Sequence, residues 1–100
     1  MIIGKFIKVG GNFTGHIKTL TLDMHVSIER VHNPTPKGPD FRILAVAAAY
    51  EPGQQIGVAW ERFSDDDKTF LLAKIEYPAL SFTCGLSEIK SGTYALIWEP

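Results

Sequence analysis

Few side chains in this 100-residue chain carry obvious chemistry, and they are widely spread. The three histidines, His16, His25 and His32, are the natural metal ligands. Two imidazoles with Asp23 or Glu29 would make an incomplete set, but none of the compact metal-binding spacings is present. The separations of nine and seven residues place the three on differing faces of strands, so no metal site is expected. The only cysteine, Cys84, falls on the apolar parity of its segment and reads as a buried structural thiol rather than a nucleophile. Asp65, Asp66 and Asp67 are consecutive, without the alternating oxygen ligands of a calcium loop, and suit a solvated turn. No glycine-rich phosphate loop, nucleophile elbow or acid–base pair stands out, so no catalytic residue and no cofactor are expected, and the chain reads as a non-enzyme.

Binding chemistry is better represented. Lys5, Lys8, Lys18, Arg30, Arg42, Arg62 and Lys74 all fall on strand-like segments, with Phe13, Trp60 and Phe70 as the aromatics expected to share faces with them. Rings that stack on bases between cations that neutralise phosphate are how small β-domains hold single-stranded nucleic acid. In the competing interpretation Trp60 and Trp98 anchor the core and the lysines keep sheet edges soluble. A third possibility is protein interaction: Ala45, Ala47 and Ala49, with Gly57 and Ala59 nearby, offer a small-residue surface suited to a protein partner or a second copy of the chain. In Asp40-Phe41-Arg42 the aromatic is expected inside, while the flanking charges pair with each other or across the sheet.

Strands must position these groups. Gly10-Gly11 separates two strand-forming runs, Ile2 to Val9 and Asn12 to Leu22, and supplies the positive φ of a tight hairpin. In the second run Phe13, Gly15 and Ile17 share one parity while Leu20, Leu22 and Met24 take the other, which predicts a bulge or bend near Lys18-Thr19. Met24 to His32 alternates as a third strand, and the proline-rich segment 33–39 can only be a surface loop. Asp40 to Phe63 reads as a central hairpin turning at Glu51-Pro52-Gly53-Gln54, although its alanines, Ala45 to Ala49, favour helix intrinsically. Thr69 to Tyr77, Leu80 to Ile89 and Thr93 to Glu99 complete the series: Leu71, Ala73 and Ile75 alternate against Phe70, Leu72, Lys74 and Glu76, then Leu80, Phe82, Cys84 and Leu86 share one face, then Tyr94, Leu96 and Trp98 one side. The expected fold is all-β: an antiparallel meander of about seven or eight short strands curled into a barrel, half-barrel or small sandwich.

Length allows one domain, residues 1–100. Ten Lys and Arg against eleven Asp and Glu leave a net charge of -1, so no bulk field draws the molecule to nucleic acid or membrane, and only a local patch could do so. The single cysteine and the lack of a signal-like or membrane-spanning run point to a cytoplasmic setting without membrane association.

Five strings, Ile3-Gly4-Lys5-Phe6, Phe13 to Leu20, Pro39-Asp40-Phe41-Arg42, Ile56 to Trp60 and Leu96-Ile97-Trp98, together resemble the bacterial family catalogued as domain of unknown function 736, in order and in spacing. The resemblance implies a short single-domain protein of the kind encoded among genes of mobile or conjugative elements, with no established activity attached. This chain departs from the family pattern in the segment Leu44 to Gln55, which is longer and less glycine-rich, and at Glu99-Pro100, where the family commonly has Ser-Arg. The second departure removes a positive charge from the closing strand.

Overall fold

In a computed structural model of the chain, eight antiparallel strands follow one another around a closed barrel. They are β1 (Ile2–Val9), β2 (Asn12–Lys18), β3 (Asp23–Arg30), β4 (Phe41–Val46), β5 (Gln54–Phe63), β6 (Thr69–Tyr77), β7 (Leu80–Lys90) and β8 (Thr93–Ile97). The structure describes residues 1–19, 23–32, 35–46, 54–65, 68–77 and 80–98. Leu20 and Leu22, Ala47 and Ala49, and the expected turn at Pro52-Gly53 lie outside the described residues.

Each strand pairs with its neighbour in sequence, and β1 pairs with β8 to close the cylinder. Closure gives each of the eight described strands a partner on both sides, which answers the edge problem of a small sheet. Turn chemistry fixes the registers locally. Val9 pairs with Asn12 across Gly10-Gly11, and Gly10 takes φ +63°, as the first central residue of a two-residue hairpin of the II′ kind does.

Strict alternation then fills the interior. Phe6, Phe13, Ile17, Val26, Ile28, Phe41, Ile43, Leu71, Ala73, Ile75, Cys84 and Leu86 are all buried, and Met24, Phe82, Tyr94 and Trp98 pack against them. An eight-stranded barrel has an interior just wide enough for such side chains to fill. The described residues include no buried polar or charged residue. Inward glycines accommodate the largest ring: a Cβ on Gly15 would stand 2.6 Å from Cγ of Phe6, its cross-strand partner.

One local expectation changes. β2 stops at Lys18, which pairs with Asp23 in unbroken register, so Met24 reaches the interior by standing opposite Ile17 and not through a bulge near Lys18-Thr19. The register shift on this side of the barrel lies instead between β4 and β5, where Ile43 faces Gly57 and Leu44 faces Gln55. The extra residue, Ile56, is 1 % exposed and joins the core, while β6 passes so close to Gly57 that a Cβ there would press on the Lys74 carbonyl.

Candidate nucleic-acid interface

The ten residues singled out for nucleic-acid contact divide among four places. Phe13 is core: it is 5 % exposed and packs edge-on against Phe41 and Tyr94, with ring centroids 5.9 Å and 4.9 Å away, so no base can stack on it. Its alternation with Gly15 and Ile17 dictates this. Lys5 and Lys18 stand on the outer wall of β1 and β2. In strand order β1 is as far as the ring allows from β5, and Lys18 faces Asp23 at the opposite end of β3 from Glu29, which faces Arg42, so these two do not join the cations of β4–β6.

Arg42, Trp60, Arg62, Phe70 and Lys74 do come together. Arg42 faces Val58 and Val58 faces Lys74, giving one cross-barrel row. Trp60 faces Leu72 in the next row, and Arg62 faces Phe70 in the row after that. All point outward, because Ala59, Leu71, Ala73 and Ile75 hold the inner parity. Trp60 and Phe70 are diagonal neighbours, about 7–8 Å apart along the sheet and within reach of adjacent bases. Beside Trp60, a depression of about 310 Å³ is lined by Gln55, Gly57, Val58, Lys74 and Glu76.

Acids temper this wall. Glu29, directly opposite Arg42 on β3, approaches its guanidinium to 3.6 Å, and Glu76 lies 3.0 Å from the Lys74 ammonium. Such exposed pairs contribute only ~0–1 kcal/mol, so a phosphate can replace either carboxylate as the cation's partner. Among the described residues Asp40 forms no ion pair: its carboxylate accepts the Glu61 backbone N–H at 2.8 Å, and its own N–H donates to the Ala59 carbonyl at 2.9 Å. Of the two roles expected for Asp40-Phe41-Arg42, Arg42 therefore takes the cross-strand pair and Asp40 ties the loop to β5. Phe41 is buried, as its parity requires.

Lys8 and Arg30 have inner parity but stand at one open end of the barrel. This mouth holds a cavity of about 560 Å³, lined among others by Lys8, Arg30, Glu61, Lys68, Glu88 and Tyr94. The Arg30 guanidinium lies 4.6 Å from the centre of the Phe41 ring and 3.8 Å from a Glu61 oxygen, closing the floor of the mouth by cation–π and ionic contact. Burial, and then the negative charge of Glu88, raises the Tyr94 phenol above its ordinary value, so at neutral pH it remains an O–H donor. Phe70 lines the same cavity and links the mouth to the β4–β6 wall. The sequence offered no signal for this junction, which depends on closure.

Cys84 is buried, and burial pushes its thiol up to about 12, which keeps it protonated and unreactive. Ala45 is half-buried and packs against the core, so its small side chain serves the interior. His16 and His25 do not sit on differing faces: the β2–β3 register sets them directly opposite on the outer wall, while His32 lies beyond the end of β3. The described residues hold no group of three His, Cys, Asp or Glu placed to bind a metal.

A simple meander of eight antiparallel strands, hydrogen-bonded into a ring around an apolar interior, defines a small up-and-down β-barrel. The chain belongs to the family described as "Protein of unknown function (DUF736)", whose model matches residues 2–100. No curated protein and no solved structure matches the chain.

Proposed function

We propose that this barrel is a small, non-catalytic, cytoplasmic binding protein whose β4–β6 wall holds single-stranded nucleic acid, in an accessory role linked to mobile or conjugative elements. The observation that carries the reading is the convergence of Trp60, Phe70, Arg42, Arg62 and Lys74 on adjacent rows of one outer wall. Trp60 and Phe70 supply stacking surfaces that tolerate any base, and the three cations track the backbone.

Intrinsic fluorescence tests it directly, because the two half-buried tryptophans face different sides of the barrel wall. Trp98 is half-buried and packs against the core and Phe82, with centroids 5.6 Å apart, whereas Trp60 has outer parity. An oligonucleotide should quench Trp60 emission and leave Trp98 emission in place. Three phosphate contacts on a single strand give a log–log salt slope of about −2, or roughly a 20-fold loss of affinity for a fourfold rise in salt. Absence of quenching at low salt would refute the reading.

A second reading, homodimerisation, is favoured by the exposed Ile7, Val9 and Ile89 on the wall opposite. Sedimentation that shows no concentration dependence would exclude it.

A further inference from the structure

We propose that His16 and His25 bind a divalent metal ion of the borderline class, Zn²⁺ being the fitting example, and that Asp23 orients the first of them. The two imidazoles stand directly across from each other on β2 and β3, with their Nδ1 atoms 3.4 Å apart. Two nitrogens bonded to a tetrahedral Zn²⁺ at about 2.0–2.1 Å are themselves separated by about 3.3–3.4 Å. The gap therefore has the bite of the ion.

The tautomer is set for the purpose. Nε2 of His16 donates to the Asp23 carboxylate, which leaves Nδ1 of a neutral ring with its lone pair free. A carboxylate on the far nitrogen is the arrangement that holds metal-binding histidines in orientation and raises their basicity. A hydrogen bond across the gap would need His25 to donate, and would use one lone pair; a cation uses both. Because the described residues offer no third His, Cys, Asp or Glu at this point, the protein contributes two donors and water the rest. There is room for it, since the rings border an open groove of about 560 Å³ lined also by Thr14, Thr93, Lys5 and Lys90. Lys5 stands opposite His16 in the register and opposes the cation, which supplies a test of its own.

The experiment is titration of the full chain with Zn²⁺ by calorimetry, with circular dichroism to verify the fold of each variant. One ion per chain is expected. His16→Gln and His25→Gln should each weaken binding by at least about tenfold, and Asp23→Asn by about tenfold. His32→Gln should change nothing, and Lys5→Gln should tighten binding. Should a variant fail to fold, NMR of the unaltered protein decides: Zn²⁺ should shift the ring protons of His16 and His25 and spare those of His32. The site is overturned if the protein takes up no Zn²⁺, if both glutamine variants keep full affinity, or if all three histidines respond alike. An unchanged Asp23→Asn variant would remove the orienting role.

Discussion

Replacing Cys84 by alanine should reverse the stability order of the two proteins in mild alkali. The thiol lies 4 % exposed among Ala73, its cross-strand partner, and the other inward residues of the barrel, and its pKa rises from 9.0 to about 12. Between those values the unfolded chain releases the proton while the folded chain keeps it. The folded state then binds more protons than the unfolded state, so unfolding free energy falls as pH rises. At one pKa unit per 1.36 kcal/mol, the loss reaches about 2.6 kcal/mol by about pH 11 and is negligible at about pH 8. Cys84→Ala carries no such group, but leaves a small cavity that costs about 1 kcal/mol at neutral pH. The alanine variant should therefore be the less stable protein at neutral pH and the more stable one above roughly pH 9.7. Tyr94, whose phenol is also raised, is common to both proteins and cancels in the difference. Urea unfolding followed by circular dichroism across this range gives both curves. Parallel curves up to about pH 11 would show that the folded thiol ionises normally and that the barrel interior is not sealed around it.

Other consequences can be measured separately. Gly15→Ala drives a Cβ to 2.6 Å from the Phe6 ring and against the Lys5 carbonyl, and should lower stability by about 1–3 kcal/mol in urea unfolding. A double-mutant cycle on Glu29 and Arg42, which face each other at 3.6 Å, should return a coupling of only ~0.2–1 kcal/mol, and a larger value would mean the pair is structurally committed and unfree to meet phosphate. Trp60→Ala should abolish oligonucleotide binding at little cost to stability, whereas Trp98→Ala should do the reverse by opening the contact with Phe82. An Ellman assay should find Cys84 unreactive until denaturant is added.

Strand existence and facing were legible in the sequence because both depend on local information. Gly10-Gly11, Lys90-Ser91-Gly92 and Ser64 to Lys68 mark turns by composition, and period-two alternation between them separates Leu71, Ala73 and Ile75 from Phe70, Leu72, Lys74 and Glu76, the first set proving to be the inner one. The same alternation places Phe13 inside, and following it would have kept that ring off the surface set. What the sequence did not reveal depends on register between strands. Whether His16 meets His25 is decided by how the chain between Lys18 and Asp23 turns, and spacing along the chain does not report that. The shift beside Ile56 and the joining of β1 to β8 are likewise long-range choices, made by packing around the inward rings and not by any nearby residue. Of the converging set, alternation relates only Phe70 and Lys74, which share a strand; Trp60 and Arg62 join them through the β5–β6 pairing and Arg42 through the β4–β5 pairing.

The seam between β1 and β8 has a kinetic meaning. Seven of the eight strand pairings join consecutive segments and can form as hairpins, each closing a short loop. The eighth joins Gly4 to Leu96 and Lys5 to Ala95, almost the full span of the sequence. Loop-closure entropy weighs on that step alone, so the sheet should assemble early as an open ribbon and shut late and slowly. Until it shuts, both outer strands present bare backbone, and the protein is most exposed to misassembly in the interval just before it becomes a ring.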